Sequence, residues 1–446
     1  MLPGFFVDRE DYDKVRDGTA WVVVGAKGAG KSAIRVKILD ERREAVHFID
    51  ISPDEIGWAE IKTYGDCGIV PAQAKKAAWL TLFLIDIIEY LETRRGPVYP
   101  IDLVNDLLLK ANVITKRGLS LQEIGVQLKF VSASFGKGTQ PEGVEFSNLV
   151  RSVRDCLKIL DEALQADQIE IRLLIDRLDE NWARGEQDNL TLEGLLHAVK
   201  ELSYQTSSIR AQIFLRTDIW ARLTFHDKDK FKASMFSIHW NQRELLALVA
   251  QRIRHSTGLT TKDDTFIVSW AFAEYVDKVK GRTGKQPTLK YILETIQQRP
   301  RDLIFVCDKA VSNRKDKTAK ISSDDVLFAL KEYSRERLDN IQNSETTKTV
   351  PMMPKLLRAL VGSRMTLSWK NLSELIAQAG EEFVGHEREY VRHLLEYEVL
   401  GLELPETCFY GSDASILDIE PRSDMVFVFH PSLRESLQLK GNSVSS

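Results

Sequence analysis

The sequence predicts an α/β protein: a parallel sheet with helices on its faces, followed by a helical lid and a small C-terminal domain. Three observations carry this. Up to about Phe236, short apolar runs of strand length alternate with longer helical stretches. From about Ser237 to Asn340 the pattern turns helical, with start and stop signals in place. Beyond a polar stretch, residues 354–439 run as helix, helix, helix, then two strands.

In the first domain, residues 1–236, the strand candidates are Ala20–Val24, Val46–Ile51, Glu170–Ile175 and Gln212–Leu215. An insertion at about 60–150 holds an apolar helix over 78–91, a second helix near 101–112 and a hairpin around Val126–Phe135. The first of these is broken by Asp86 and Glu89 and is too short to span a bilayer, so it reads as a core helix. In the lid, residues 237–340, Asn241 and Glu244 form a capping box for a helix over 242–255, and Gly258 stops it. Pro300 stands where a first helical residue belongs, and Ser322 with Asp325 caps the next helix. Residues 341–353 are the linker, drawn from the polar run Asn340–Thr349 and closed by Pro351 and Pro354. The domain 354–439 has its last helix at His386–Tyr397 and strands near Ile416–Ile419 and Met425–Phe429, an order that suggests a winged helix. Residues 440–446 read as a disordered tail.

Composition narrows the function classes. The chain has 446 residues, 28% charged, with a formal net charge of −4, so no global basic field draws it to nucleic acid or acidic lipid. Cys67, Cys156, Cys307 and Cys408 lie far apart, which argues for incidental thiols in a reducing cytosol over a disulfide framework or zinc site. The first residues lack the basic-then-apolar layout of a signal peptide, and no membrane partner is expected. The expected location is cytoplasmic.

The chemistry starts at Gly25-Ala26-Lys27-Gly28-Ala29-Gly30-Lys31-Ser32, which follows the apolar run Trp21–Val24 and opens a helix through Ile34 and Ile38. This is the Walker A pattern in its required strand–loop–helix setting. Its glycines let successive backbone N–H groups turn inward around phosphates, and the helix N-terminus adds a positive dipole end. Gly25, Lys27, Gly28, Ala29, Gly30, Lys31, Ser32 and Ala33 are therefore the nucleotide-binding candidates. Lys31 would meet the β- and γ-phosphates, and the Ser32 hydroxyl would ligate Mg²⁺.

The second motif is Ile171-Arg-Leu-Leu-Ile-Asp176, an apolar strand ending in a carboxylate, with Asp179 and Glu180 just beyond. This is the Walker B form: Asp176 would hold Mg²⁺, and a second acid would polarise the attacking water. Both Asp179 and Glu180 are candidates for that base. Arg216 ends the strand Gln212–Leu215, where ligands of a parallel sheet gather, and could stabilise charge on the transferred phosphate. Arg301, at the start of a lid helix, could swing onto the phosphates. Thr261-Lys262-Asp263-Asp264 matches the guanine-reading T-K-x-D motif but follows a helix, not a strand, so ATP is expected in place of GTP.

These residues, with Phe214-Leu215-Arg216, Trp240 before a Glu-Leu-Leu helix, Arg299-Pro300-Arg301-Asp302 and Tyr333-Ser334-Arg335, resemble the bacterial STAND and KAP-like P-loop ATPases. Those are relatives of AAA+ and origin-recognition ATPases, often encoded in anti-phage defence loci. The resemblance spans roughly residues 15–340 and implies a P-loop NTPase sheet with ATP and Mg²⁺ as cofactors. It also implies a nucleotide-gated switch that forms a homo-oligomer, with an arginine from a neighbour completing the site; Arg184 and Arg222 are the candidates in this chain. One departure is that no effector or sensor segment is evident before Trp21 or after Phe429, so an effector such as a nuclease would act in trans. The alternative is a DNA-binding ATPase of origin-recognition type using the winged helix. Its groove helix would carry Arg388 and Arg392 on one face, offset by Glu387, Glu389 and Glu396. A small-molecule kinase and a non-hydrolysing structural subunit fit the acidic pair less well.

Overall fold

Strands covered on both faces need near-continuous apolar runs, and the first part of the chain supplies them. The computed structural model describes residues 12–41, 43–52, 61, 71–93, 99–111, 114, 143–180, 182, 185–276, 285–345, 350–403, 408–410, 422 and 424–441. The chain divides into two units: one takes in Asp8–Gly25 and Lys31–Ile238, the other Ala26–Gly30 together with His239 onward.

The first unit runs α1 (Tyr12–Arg16), β1 (Val22–Gly25), α2 (Lys31–Asp40), β2 (Val46–Ile51), α3 (Pro71–Thr93), α4 (Ile101–Lys110) and α5 (Gly143–Ala166). It continues with β3 (Glu170–Ile175), α6 (Glu186–Gln205), β4 (Ile209–Arg216), α7 (Thr217–Arg222) and β5 (Met235–Ile238). The strands form one parallel sheet in the order β2-β3-β4-β1-β5, with Val22 opposite Ile213 and Met235, and Ile171 opposite Ile209. Strand β4 thus lies between the strand that feeds the glycine-rich loop and the strand that Asp176 directly follows. With helices between its parallel strands, this is an α/β sheet.

Helix α3 lies within the stretch read as an insertion, yet it belongs to the main core through Trp79, Leu82, Phe83 and Ile87, and it packs on α6. The approach is close: a Cβ on Gly194 would stand 2.7 Å from Lys75 Cβ. The Lys75 side chain is fully buried and donates to the Ile61 carbonyl at 3.1 Å. Buried Gln212 donates to the carbonyls of Val15 and Ala20 at 2.9 and 2.8 Å, fixing the entry into β1. The hairpin expected around Val126–Phe135 lies outside the described residues.

In the second unit the lid comprises α8 (Gln242–Thr257), α9 (Asp264–Ala271), β6 (Tyr275–Val276), β7 (Gln286–Pro287), α10 (Thr288–Thr295), α11 (Pro300–Asn313) and α12 (Ser323–Asn340). Asn241 accepts from Glu244 N–H and Ser322 from Asp325 N–H, and both capping boxes close reciprocally. Gly258 takes the left-handed conformation, φ 73°, that ends α8. Residues 341–345, read as the start of a linker, continue α12 as a π-helical turn. Ile341, Val350 and Met353 are buried in the core of the following domain, so both ends of that stretch are packed.

That domain holds α13 (Met353–Ala359), β8 (Thr366–Ser368), α14 (Trp369–Gln378), α15 (Glu387–Glu396), β9 (Leu400–Glu403), β10 (Cys408–Phe409) and β11 (Val426–Phe429). Its antiparallel sheet has the order β10-β9-β11-β8. The strand expected near Ile416–Ile419 lies outside the described residues, and β11 pairs instead with β9, Phe427 opposite Leu402. Lys440, read as the first residue of a disordered tail, is ordered by its N–H to the Ser363 carbonyl at 2.8 Å. Lid and C-terminal domain are joined by polar contacts: Arg337 donates to the Tyr397 carbonyl at 2.6 Å, and Ser334 to Ser436 Oγ at 3.0 Å.

Candidate nucleotide-binding site

Strand β1 delivers the chain to Gly25, and α2 begins at Lys31, so the loop between them spans Ala26–Gly30. Gly28 and Gly30 adopt φ of 85° and 103°, values that a side chain strongly disfavours. Lys31 Nζ donates to the Gly25 carbonyl at 2.8 Å. Burial pushes the Lys31 ammonium down to about 8, while Asp179, Asp176 and Asp218 oppose that shift and Arg216 adds to it. These four charged groups therefore converge on the P-loop lysine. Ser32 is exposed at the start of α2 and Ala33 is half-buried behind it.

Asp176 is 5% exposed at the end of β3. Its Oδ1 accepts from the Arg177 N–H at 2.9 Å, across a left-handed turn at Arg177, φ 62°. Its Oδ2 is buried without a hydrogen-bond partner among the described residues, although Arg35 Nε stands 3.3 Å away without hydrogen-bond geometry. A buried carboxylate oxygen with spare acceptor capacity suits the water shell of a Mg²⁺ ion. Asp176 and the Ser32 hydroxyl are thus the residues that fit such an ion. Among the described residues no group of three or more His, Cys, Asp or Glu side chains is placed to hold a metal ion.

Arg216 closes β4 with a bidentate pair to Asp218, at 2.9 and 2.7 Å, and a third contact to Asp179 at 3.3 Å. Burial disfavours its charge, but Asp218 and Asp179 outweigh that and raise its pKa. Asp179 is therefore engaged, whereas Glu180 is exposed. Arg222 ends α7, and Arg184 lies outside the described residues. Sequence reasoning missed Arg35, which pairs with Asp50 at the end of β2 beside Asp176. A carboxylate one residue before the end of a second parallel strand was the available signal.

In the second unit, three consecutive loop carbonyls accept from lid residues. Lys27 O receives Arg299 Nη1 at 3.4 Å, Gly28 O the Arg301 N–H at 3.4 Å, and Ala29 O the Trp240 indole N–H at 2.8 Å. A Cβ on Gly28 would come within 3.0 Å of Arg301 Cβ and Nε, so that glycine admits the Arg301 side chain against the loop. Within the loop itself, the Ala29 N–H donates to the Ala26 carbonyl at 3.0 Å. The T-K-x-D string does structural work instead: Asp263 caps α9 through the Phe266 N–H, and Asp264 pairs with Arg254 at 2.5 Å.

Comparison with known proteins adds four likenesses. Residues 243–342 match the FunZ-associated C-terminal helical domain. A curated relative, the putative transposon gamma-delta 80.3 kDa protein of Escherichia coli K12, is 25% identical over 362 residues, covering 76% of this chain. The chain spans about half, 49%, of that relative's length. Among solved structures, a Walker-type ATPase of Pyrococcus abyssi covers 93% of this chain and 96% of its own at 14% identity, TM-score 0.43. The ORC1 protein of Aeropyrum pernix, solved in complex with DNA, covers 94% and 92% at 12% identity, TM-score 0.39. Both structural likenesses are loose.

Proposed function

We propose that the chain binds and hydrolyses ATP with Mg²⁺ and uses the cycle as a switch. The observation that carries this is Lys31 opening α2 directly after the glycine-rich loop, with Asp176 following β3 and Arg216, bonded to Asp218 and Asp179, closing β4 of the same parallel sheet. In this reading the loop and Lys31 bind the phosphates, Ser32 and Asp176 would hold the ion, and Glu180 polarises water. Such an ion, when bound, would offset phosphate charge. Glu180 is preferred over Asp179 because Asp179 is tied to Arg216. Arg301 rests on Gly28 and supplies a differential contact between nucleotide states, which any such switch requires.

The switch governs self-assembly and a partner acting in trans, a nuclease being one class that suits a cytoplasmic defence role against phage. The second reading, a DNA-binding ATPase, draws on the name of the transposon relative and on the helix–strand–helix–helix–strand order from α13 to β9, which we read as a winged helix. Against it, α15 presents Glu387 and Glu389 in its first turn, and Glu389 lies 3.5 Å from His386. The test is mass photometry with ATP, ADP and no nucleotide on wild type, Lys31→Ala and Glu180→Gln. An ATP-built oligomer, lost in Lys31→Ala and trapped in Glu180→Gln, supports the switch. One mass throughout sinks nucleotide-driven assembly and moves DNA binding ahead.

A further inference from the structure

The Arg299 side chain has two faces. One nitrogen, Nη1, donates to the Lys27 carbonyl of the loop at 3.4 Å, and the other, Nη2, donates to Glu398 Oε2 at 2.6 Å. Glu398 belongs to the C-terminal domain, between α15 and β9, and also accepts from Gln297 Nε2. The pair is well shielded, with side chains 13% and 14% exposed. Glu398 adopts φ 54°, a left-handed conformation that is costly for a non-glycine residue. Glycine would relieve that cost but would leave Arg299 without its carboxylate. Pro300 follows directly as the first residue of α11, and its fixed φ makes the entry from Arg299 rigid.

We infer that Arg299 is a positioning residue for the phosphate-binding loop and that Glu398, from the C-terminal domain, holds it in place. The carboxylate fixes the guanidinium so that it grips the Lys27 carbonyl, which sets the conformation of the loop. Nucleotide affinity thereby depends on a side chain of the C-terminal domain that touches no nucleotide. This rests on the nucleotide-binding reading above and names a regulatory element of that site.

The experiment is a fluorescence titration with an N-methylanthraniloyl ATP analogue on the full chain, alongside thermal unfolding. Wild type, Lys31→Ala, Glu398→Gln, Arg299→Met and the double variant are compared. Glu398→Gln and Arg299→Met should each raise the Kd about tenfold, and the double variant no further than either alone. Glu398→Asp, which keeps the carboxylate, should recover part of the loss. A lowered unfolding temperature with an unchanged Kd, or additive losses in the double variant, overturns the inference. If Glu398→Gln does not fold, Arg299→Lys decides by the same titration: an unchanged Kd overturns the inference, a weakened one upholds it. Wild type binding no better than Lys31→Ala would bring down the nucleotide reading itself, a result distinct from tight binding that ignores residues 299 and 398.

Discussion

Arg216 and Arg301 look equivalent in the sequence, each an arginine at the edge of an element near the phosphate motifs, yet their surroundings differ. Arg216 is fixed by Asp218 and Asp179 on three nitrogens, so its charge is already offset by two carboxylates. Arg301 is 46% exposed, with its Nε 3.9 Å from Asp302 and its stem against Gly28. The lesson concerns what a charge can still do. A guanidinium with two carboxylates on it contributes geometry first, and must release a partner before it can reach a phosphate. One that is half-exposed keeps both its charge and its reach.

Asp179, the partner of Arg216, gives the largest way to sharpen that contrast. Glu180→Gln should lower the ATP hydrolysis rate about a thousandfold while leaving ATP binding intact, as expected for loss of a general base. Asp179→Asn should cost far less in rate, because it weakens an ion pair and leaves the base in place. Phosphate-release assays on the two variants decide this. Equal losses would mean that Asp179 and Arg216 act in the chemistry as a unit.

Stability separates the two arginines next. Arg216→Ala takes the guanidinium away from Asp218 and Asp179, whose side chains are 16% and 33% exposed, so it should cost about 2 kcal/mol in urea unfolding of the apo-protein. Arg301→Ala removes a half-exposed side chain and should stay within about 0.5 kcal/mol, while ATP affinity falls. If Arg301→Ala is the more destabilising, the contrast drawn between them fails.

Much of this was legible in the sequence, for local reasons. The observed β2 and β3 match the expected Val46–Ile51 and Glu170–Ile175, because apolar runs bounded by polar turns leave little choice of register. The caps at Asn241 and Ser322 are equally local. Strand β5 was not read: Met235–Ile238 is four residues long, lies at the sheet edge and buries only alternate residues. Strand β9, Leu400–Glu403, carries a glycine that speaks against a strand until Phe427 is seen opposite Leu402. At the site, the motif residues were found by spacing, but Arg35 was not, and Arg299 entered only as part of the Arg299–Asp302 stretch, with no role. Their roles come from Asp50, Asp176 and Glu398, and no short-range pattern encodes such pairings.

The smallest effect isolates Lys31 from Arg216 by pH. Burial lowers the folded-state pKa of Lys31 to about 8, below its ordinary 10.5. Between those two values the unfolded chain holds more protons, so this group makes apo-protein stability rise with pH from about 8 to 10.5. Its penalty is fully present below pH 8. Phosphate favours the charged ammonium, so ATP binding above pH 8 must take up a proton, and affinity should fall by up to about tenfold per pH unit there. Arg216, held charged by Asp218 and Asp179, contributes no slope in this range. Calorimetric titration in buffers of differing ionisation heat should therefore show proton uptake at pH 9 and little at pH 6.5. Lys31→Arg, always charged, should abolish the uptake even if it binds more weakly. Uptake that persists in Lys31→Arg would place the titrating group elsewhere and remove the charge link between the P-loop lysine and the acids around it.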